Sequence, residues 1–178
     1  MVVQQNDEAC IRYLLERGAN PNLGPLVNAQ TPIAQKRPIP NSGWTLNYAA
    51  AYCTSDVFAL LLAHGADIKN AIPLHHAAGH QSNPPSSWIP MLEYLVRMGL
   101  DVNALDDAIP SPENICRRDG PPLSYAVQWG RVEEAKWLLA HGADPDKKSS
   151  YGFSARDEAE SLPRGHKLAV LLLATETS

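Results

Sequence analysis

Histidines, cysteines and neighbouring carboxylates are the residues of this chain with reactive potential. His75, His76 and His80 fall close together, and His76 and His80 are four apart, so on one continuous helix they would share a face with metal-ligand spacing. A zinc site needs three or four ligands, and no Cys, Asp or Glu stands near them in the sequence. Acid pairs such as Asp106-Asp107 and Glu133-Glu134 are consecutive, so they read as a loop and a solvated helix face rather than as converging carboxylates. The chain has no nucleophile elbow, no phosphate-cradling glycine loop and no His-Glu-x-x-His. Cys10, Cys53 and Cys116 lie far apart and form no Cys-x-x-Cys pair, which fits free thiols in a reducing compartment, cytosol or nucleus. Cys10, inside a helical pattern, reads as a small packing residue. The expectation is a non-catalytic chain with no cofactor and no metal.

Bulk properties narrow the partners. The chain has 178 residues, 44% of them hydrophobic, a net charge of −4 and a pI of about 5.8. That is enough apolar material for one packed domain or repeat array. No Lys/Arg run tracks a phosphate backbone, so nucleic acid is disfavoured. No stretch of about 20 apolar residues is present, so no membrane span is expected. The start of the chain lacks a basic segment followed by an apolar run, so it does not read as a secretory signal.

The elements that must position any site come from an internal repeat. Leu14-Leu15-Glu16-Arg17-Gly18-Ala19-Asn20 returns as Leu61-Leu62-Ala63-His64-Gly65-Ala66-Asp67 and as Leu138-Leu139-Ala140-His141-Gly142-Ala143-Asp144, with a looser copy, Leu95-Val96-Arg97-Met98-Gly99-Leu100-Asp101. Before each glycine, apolar residues recur at helical spacing: Ile11, Leu14 and Leu15; Val57, Leu60 and Leu61; Ala135, Leu138 and Leu139. The glycine is the stop signal, because a helix commonly ends on a left-handed residue. A shorter apolar segment precedes each of three such helices: residues 46–52, 73–80 and 122–130, with Pro73 and Pro122 at helix starts. Leu46 to Gly65 and Leu123 to Gly142 are both 19 residues, a shared register over two helices.

These units resemble ankyrin repeats. Pro73-Leu74-His75-His76-Ala77-Ala78 matches that family's Thr-Pro-Leu-His-x-Ala phrase except at Ile72, which stands at the Thr position. The resemblance implies an all-α solenoid of about four to five stacked helix–turn–helix units with β-turn fingers. It implies a concave surface of fingers and inner helices that binds another protein. It makes His75 a hydrogen-bonding structural residue. Asn103, in Leu100-Asp101-Val102-Asn103-Ala104, resembles a position hydroxylated in some relatives, but the reading taken is a finger Asn whose amide bonds the local backbone.

A single domain over residues 1–178 is expected: a partial first repeat (1–22), a Pro-rich insertion (23–42), repeats at 43–69, 70–104 and 105–147, and a capping repeat at 148–178. Val2 and Val3 fall at the paired-Ala positions of the first unit, so that half-repeat either frays or continues a longer protein. The last unit carries Arg156, Asp157, Glu158, Glu160 and Lys167, a polar cap for the open end. Gly-to-Gly steps of 47, 34 and 43 exceed the family period of about 33 residues. The excess falls in residues 23–42, with a degenerate repeat start at Thr31-Pro32-Ile33-Ala34, in residues 105–119 with Pro110 and Pro112, and in the inter-helix segment 81–89, after which Pro90 opens a helix. The Pro-rich insertion is suited to lie along the finger face, stiffening it or occluding the groove until a partner displaces it.

Partner-binding positions follow from the same resemblance. Tyr52, His80 and Trp129 follow the paired small residues of successive inner helices, and Trp44 and Trp88 flank the insertions. Aromatic residues dominate interface hot spots; packing of Tyr52 and Trp129 beneath the long loops is the alternative. The expected function is a monomeric protein–protein interaction scaffold, cytoplasmic or nuclear, with a protein partner. The alternatives are a recruiting module of a larger enzyme or regulator, and a metal or small-ligand site on the insertions and His75, His76 and His80.

Overall fold

A computed structural model describes residues 2–25, 38–80, 88–108 and 120–174. The degenerate repeat start at residues 31–34, Pro110, Pro112, Cys116 and most of each insertion lie outside the described residues. The described elements are helical: α1 (Glu8–Glu16), α2 (Trp44–Tyr52), α3 (Ser55–Ala63), α4 (Pro73–Ala78), α5 (Ile89–Arg97), α6 (Pro122–Gln128), α7 (Val132–Ala140), α8 (Ala155–Glu160) and α9 (Lys167–Leu173). Apart from one bridging residue, Pro38, no strand is present among the described residues. The chain divides into two compact units, one up to Pro73 and one from Leu74 onward.

The repeated phrase is explained by how each long helix ends. Gly18 N–H donates to Leu15 O at 2.9 Å and Ala19 N–H to Leu14 O at 3.0 Å. The same pair of bonds recurs from Gly65 and Ala66 to Leu62 and Leu61, from Gly99 and Leu100 to Val96 and Leu95, and from Gly142 and Ala143 to Leu139 and Leu138. This is the Schellman termination, which satisfies two orphan carbonyls and needs a left-handed residue at the glycine. The glycines supply it, with φ of +83° at Gly18 and +88° at Gly142. Each pair therefore provides two acceptors but one core residue, Leu15, Leu61, Leu95 or Leu138, while Leu14 is exposed; the glycine and the residue after it provide the donors.

In the first unit, a 3₁₀ turn (Val2–Gln5) packs against α2, and α1 and α2 pack against α3. Leu46, Ala49, Ala50, Val57, Phe58 and Leu61 make its core. Cys53 is buried, and its thiol donates to Val3 O at 3.1 Å. The Asn47 side chain, also buried, accepts from Ile72 N–H at 2.8 Å. Gly43, just before α2, lies against the backbone of Asn70 and Ala71, leaving no room for a side chain. The base of the first insertion is tied down: Gly24 N–H donates to Ile39 O at 2.8 Å, and Ser42 N–H to Asn22 O at 2.9 Å.

In the second unit, α7 packs against α5, α6 and α9, and α8 packs against α6 and α9. Leu74, Leu92, Leu95, Leu123, Leu138, Leu168 and Leu172 are buried, and Ala77, Ala78 and Ala126 allow close helix approach. α8 opens with a capping box between Ser154 and Asp157. Arg156 is bidentate to Asp146, at 2.7 and 3.2 Å, and also donates to Leu172 O. The last repeat carries the expected charges, yet α9 also exposes Val170 and Leu173, so its outer surface is mixed rather than polar.

Each finger is built by two uses of Asx side chains. In the first use, Asn20, Asp67, Asp101 and Asp144 accept from the backbone N–H two residues on, at 2.8 to 3.0 Å. The second use joins neighbouring fingers within a unit. Asn22 donates to Gly65 O at 2.7 Å and accepts from Asp67 N–H at 2.7 Å. Asn103 does the same with Gly142 O at 2.9 Å and Asp144 N–H at 2.8 Å.

Candidate functional site

The aromatic residues expected to bind a partner are placed very differently from one another. On α2, Trp44, Tyr48 and Tyr52 recur every four residues and so share one helix face. Their rings form a continuous half-buried stack, with centroids 4.7 Å apart for Trp44–Tyr48 and 5.7 Å for Tyr48–Tyr52. The structure thus brings Trp44 and Tyr52 into one row through Tyr48, which the sequence reading passed over although its i, i+4, i+8 spacing was visible.

His80 is not a surface residue. It is 2% exposed, which corrects its expected place among the partner-binding side chains. α4 ends at Ala78, so His80 lies beyond the helix and does not continue a face with His76. Its ring stacks on Trp88, centroids 4.5 Å apart, and its Nε2 lies 3.5 Å from Glu134 Oε1. The same carboxylate oxygen accepts from the Trp88 backbone N–H at 3.0 Å. One acid on α7 therefore holds the residues on both sides of segment 81–87. Burial opposes ionisation of Glu134, but hydrogen bonds from His80 and the Trp88 backbone outweigh it and keep the carboxyl below its ordinary range. This corrects the reading of Glu133-Glu134 as a solvated face: Glu133 is exposed and pairs with Lys136 at 2.9 Å, whereas Glu134 is buried. Consecutive helical residues point about 100° apart, so one acid of a pair can face the core.

Trp129 is the most accessible of the predicted set, at 47% exposure, and caps the end of α6. Its indole Cδ1 would stand 2.7 Å from a Cβ added at Gly79, so the ring rests directly on the glycine after α4. This exposure argues against the alternative in which Trp129 is loop-covered core. Trp88 is half-buried against His80.

The histidine and asparagine expectations resolve into structural bonds. His75 Nε2 lies 3.0 Å from Ala104 O and its ring meets Tyr125 edge-on at 5.2 Å, as the resemblance implied. Tyr125 in turn donates to Asp106, which is buried. Among the described residues no three His, Cys, Asp or Glu side chains gather as a metal set. Asn103 bonds the following finger rather than its own backbone, so both ends of the amide are engaged. Cys53 is pushed up to about 12 by burial, which keeps its thiol protonated and unreactive.

No described helix is long and apolar enough to cross a membrane. A family model described as ankyrin repeats, in three copies, matches residues 46–149, more than half of the chain. Repeats of this kind generally mediate protein–protein interaction and are typically non-catalytic. The Thr-Pro-Leu-His-like phrase, the four Schellman endings, the cross-linked fingers and the family match all agree, and the chain belongs to the ankyrin-repeat family.

Proposed function

We propose that this chain is a non-catalytic module that binds a partner protein through aromatic residues on its inner helices. Trp129 carries the proposal in the second unit: a large side chain left 47% exposed yet seated on Gly79. The stacked row of Trp44, Tyr48 and Tyr52 is the equivalent surface of the first unit. Trp88 flanks the second, with His80 and Glu134 as buried support behind it. Side chains held this way lose little rotamer freedom on binding, so more of the contact energy appears as affinity.

The test is capture of partners from cytosol by the wild-type chain and by Trp129→Ala, with melting temperatures measured in parallel. The expected outcome is capture reduced about tenfold with the melting temperature unchanged. Unchanged capture with a sharply lower melting temperature would make Trp129 a packing residue and end the proposal for that surface.

A further inference from the structure

Asp7, Thr54 and Ser154 cap the starts of α1, α3 and α8, residue types that usually fill that position. α9 begins on a histidine instead. His166 stands at its N-cap in extended backbone, and its Nδ1 accepts from Leu168 N–H at 3.3 Å. A backbone N–H can only donate, so this bond needs a lone pair on Nδ1, and hence a neutral ring with its proton on Nε2. A proton added at Nδ1 removes the acceptor. It also puts positive charge at a helix N-terminus, where the backbone dipole opposes it. Both effects weaken the first turn of α9.

His141, at the end of α7, is the opposite case. Its Nδ1 lies 2.7 Å from Trp137 O, and a carbonyl only accepts, so that nitrogen carries a proton in either charge state. It stands at a helix C-terminus, where positive charge is favourable. α7 packs against α9. Acid therefore undoes the start of α9 while leaving the end of the neighbouring α7 bonded.

The charged groups around His166 are mixed. Arg164 and Lys167 flank it in its own turn; α8 carries Arg156, Asp157, Glu158 and Glu160; α7 begins on Arg131 and carries Glu133, Glu134 and Lys136. Arg156 is held by Asp146 and Leu172 O, Asp157 by Ser154, Glu133 by Lys136, and Glu134 by His80 and the Trp88 N–H. No ion pair within 4.0 Å reaches His166 among the described residues, so no carboxylate in contact takes up the added charge.

We propose that His166 is a proton-operated latch on α9: in mild acid its ring is protonated, the first turn of the helix opens, and Leu168 is uncovered. The other end stays fastened, because Arg156 donates to Leu172 O and the Leu172 side chain is buried. Leu168, fully buried while the latch is closed, would then join the groove lined by Leu162, Arg164, Ala169 and Val170. The last repeat thus exposes more apolar surface in acid than at neutral pH. The latch goes beyond the partner-binding reading and does not depend on it.

The test is amide hydrogen exchange of the isotope-labelled full chain at about pH 7.5 and about pH 5.5, either side of the range where imidazoles change charge, corrected for the intrinsic pH dependence of exchange. Protection at Leu168 and Val170 should fall about tenfold in acid, while residues 138–142 at the end of α7 keep theirs. His166→Asn keeps an acceptor at the cap that no proton removes in this range, and should abolish the change. His166→Ala should show the low protection at both pH values. A nitrogen spectrum of the wild-type imidazole should find Nδ1 without a proton at the higher pH. Equal protection of the wild type at both pH values, or a loss spread evenly over α7 and α9, would overturn the latch. So would a pH response that persists in His166→Asn, or a protonated Nδ1 at the higher pH.

Discussion

Single residues in this chain differ most in whether their surroundings leave them a choice. Glu134 is ionised in a buried place because His80 and the Trp88 amide compensate its desolvation. A carboxyl held below its ordinary range contributes stability at neutral pH, above its unfolded pKa of roughly 4.3, and loses it as pH falls through the folded value. Glu134→Gln should lower stability by about 1–3 kcal/mol at neutral pH, and the gap to wild type should close in acid. Melting temperatures recorded from neutral to acid pH check this; a gap constant at every pH would contradict it. The glycines divide by mechanism. An Ala Cβ at Gly43 would sit 2.0 Å from Asn70 O and 2.6 Å from Ala71 Cα, so backbone must move. At Gly142 a Cβ meets nothing within 4 Å, and the cost is only the +88° φ. Gly43→Ala should therefore cost about 2 kcal/mol or more, and Gly142→Ala about 1 kcal/mol. Urea unfolding orders the two, and the reverse order would refute the close approach at Gly43. Gly142 was recognisable from sequence as a helix stop; the special need at Gly43 was not, because Asn70 is far away along the chain.

Elements are stopped locally and joined at a distance. The Schellman bonds reach back only three or five residues, so the helices ending at Gly18, Gly65, Gly99 and Gly142 follow from the local sequence. The joints between neighbouring fingers do not. Asn22 and Asn103 each exchange two hydrogen bonds with a finger about 40 residues on. Asn103→Ala should remove both bonds and leave Gly142 O and Asp144 N–H without that partner, costing about 1–3 kcal/mol. Asn103→Asp should not rescue it, since a carboxylate accepts from Asp144 N–H but cannot donate to Gly142 O. Urea midpoints measure this, with Asn22→Ala as the matching substitution in the first unit; a rescue by Asp would show that only the acceptor matters. The amide roles expected from sequence, local bonding or modification, missed this joint because the acceptor and donor lie in the next repeat.

At the scale of the molecule, the proposed binding surface depends on which apolar side chains the repeats leave uncovered. Trp129→Ala should leave the fold intact and weaken partner capture, since 47% of the residue already faces water. Of the positions the repeat pattern nominated, Trp129 is open, Tyr52 and Trp44 are joined in a half-buried stack, and His80 is interior. Phe153 and Tyr151, the most exposed aromatics of the second unit, stood outside the pattern because they belong to a finger of the divergent last repeat. What the sequence determined by itself was the all-α repeat, its period, its helix ends and its family, because those rest on contacts within one turn of helix and on phrases that recur. Tertiary structure alone decided which acid of Glu133-Glu134 is buried, which asparagines bridge fingers, and which aromatics remain in solvent. Burial is set by what packs on a residue from tens of positions away, and no local pattern records that neighbour.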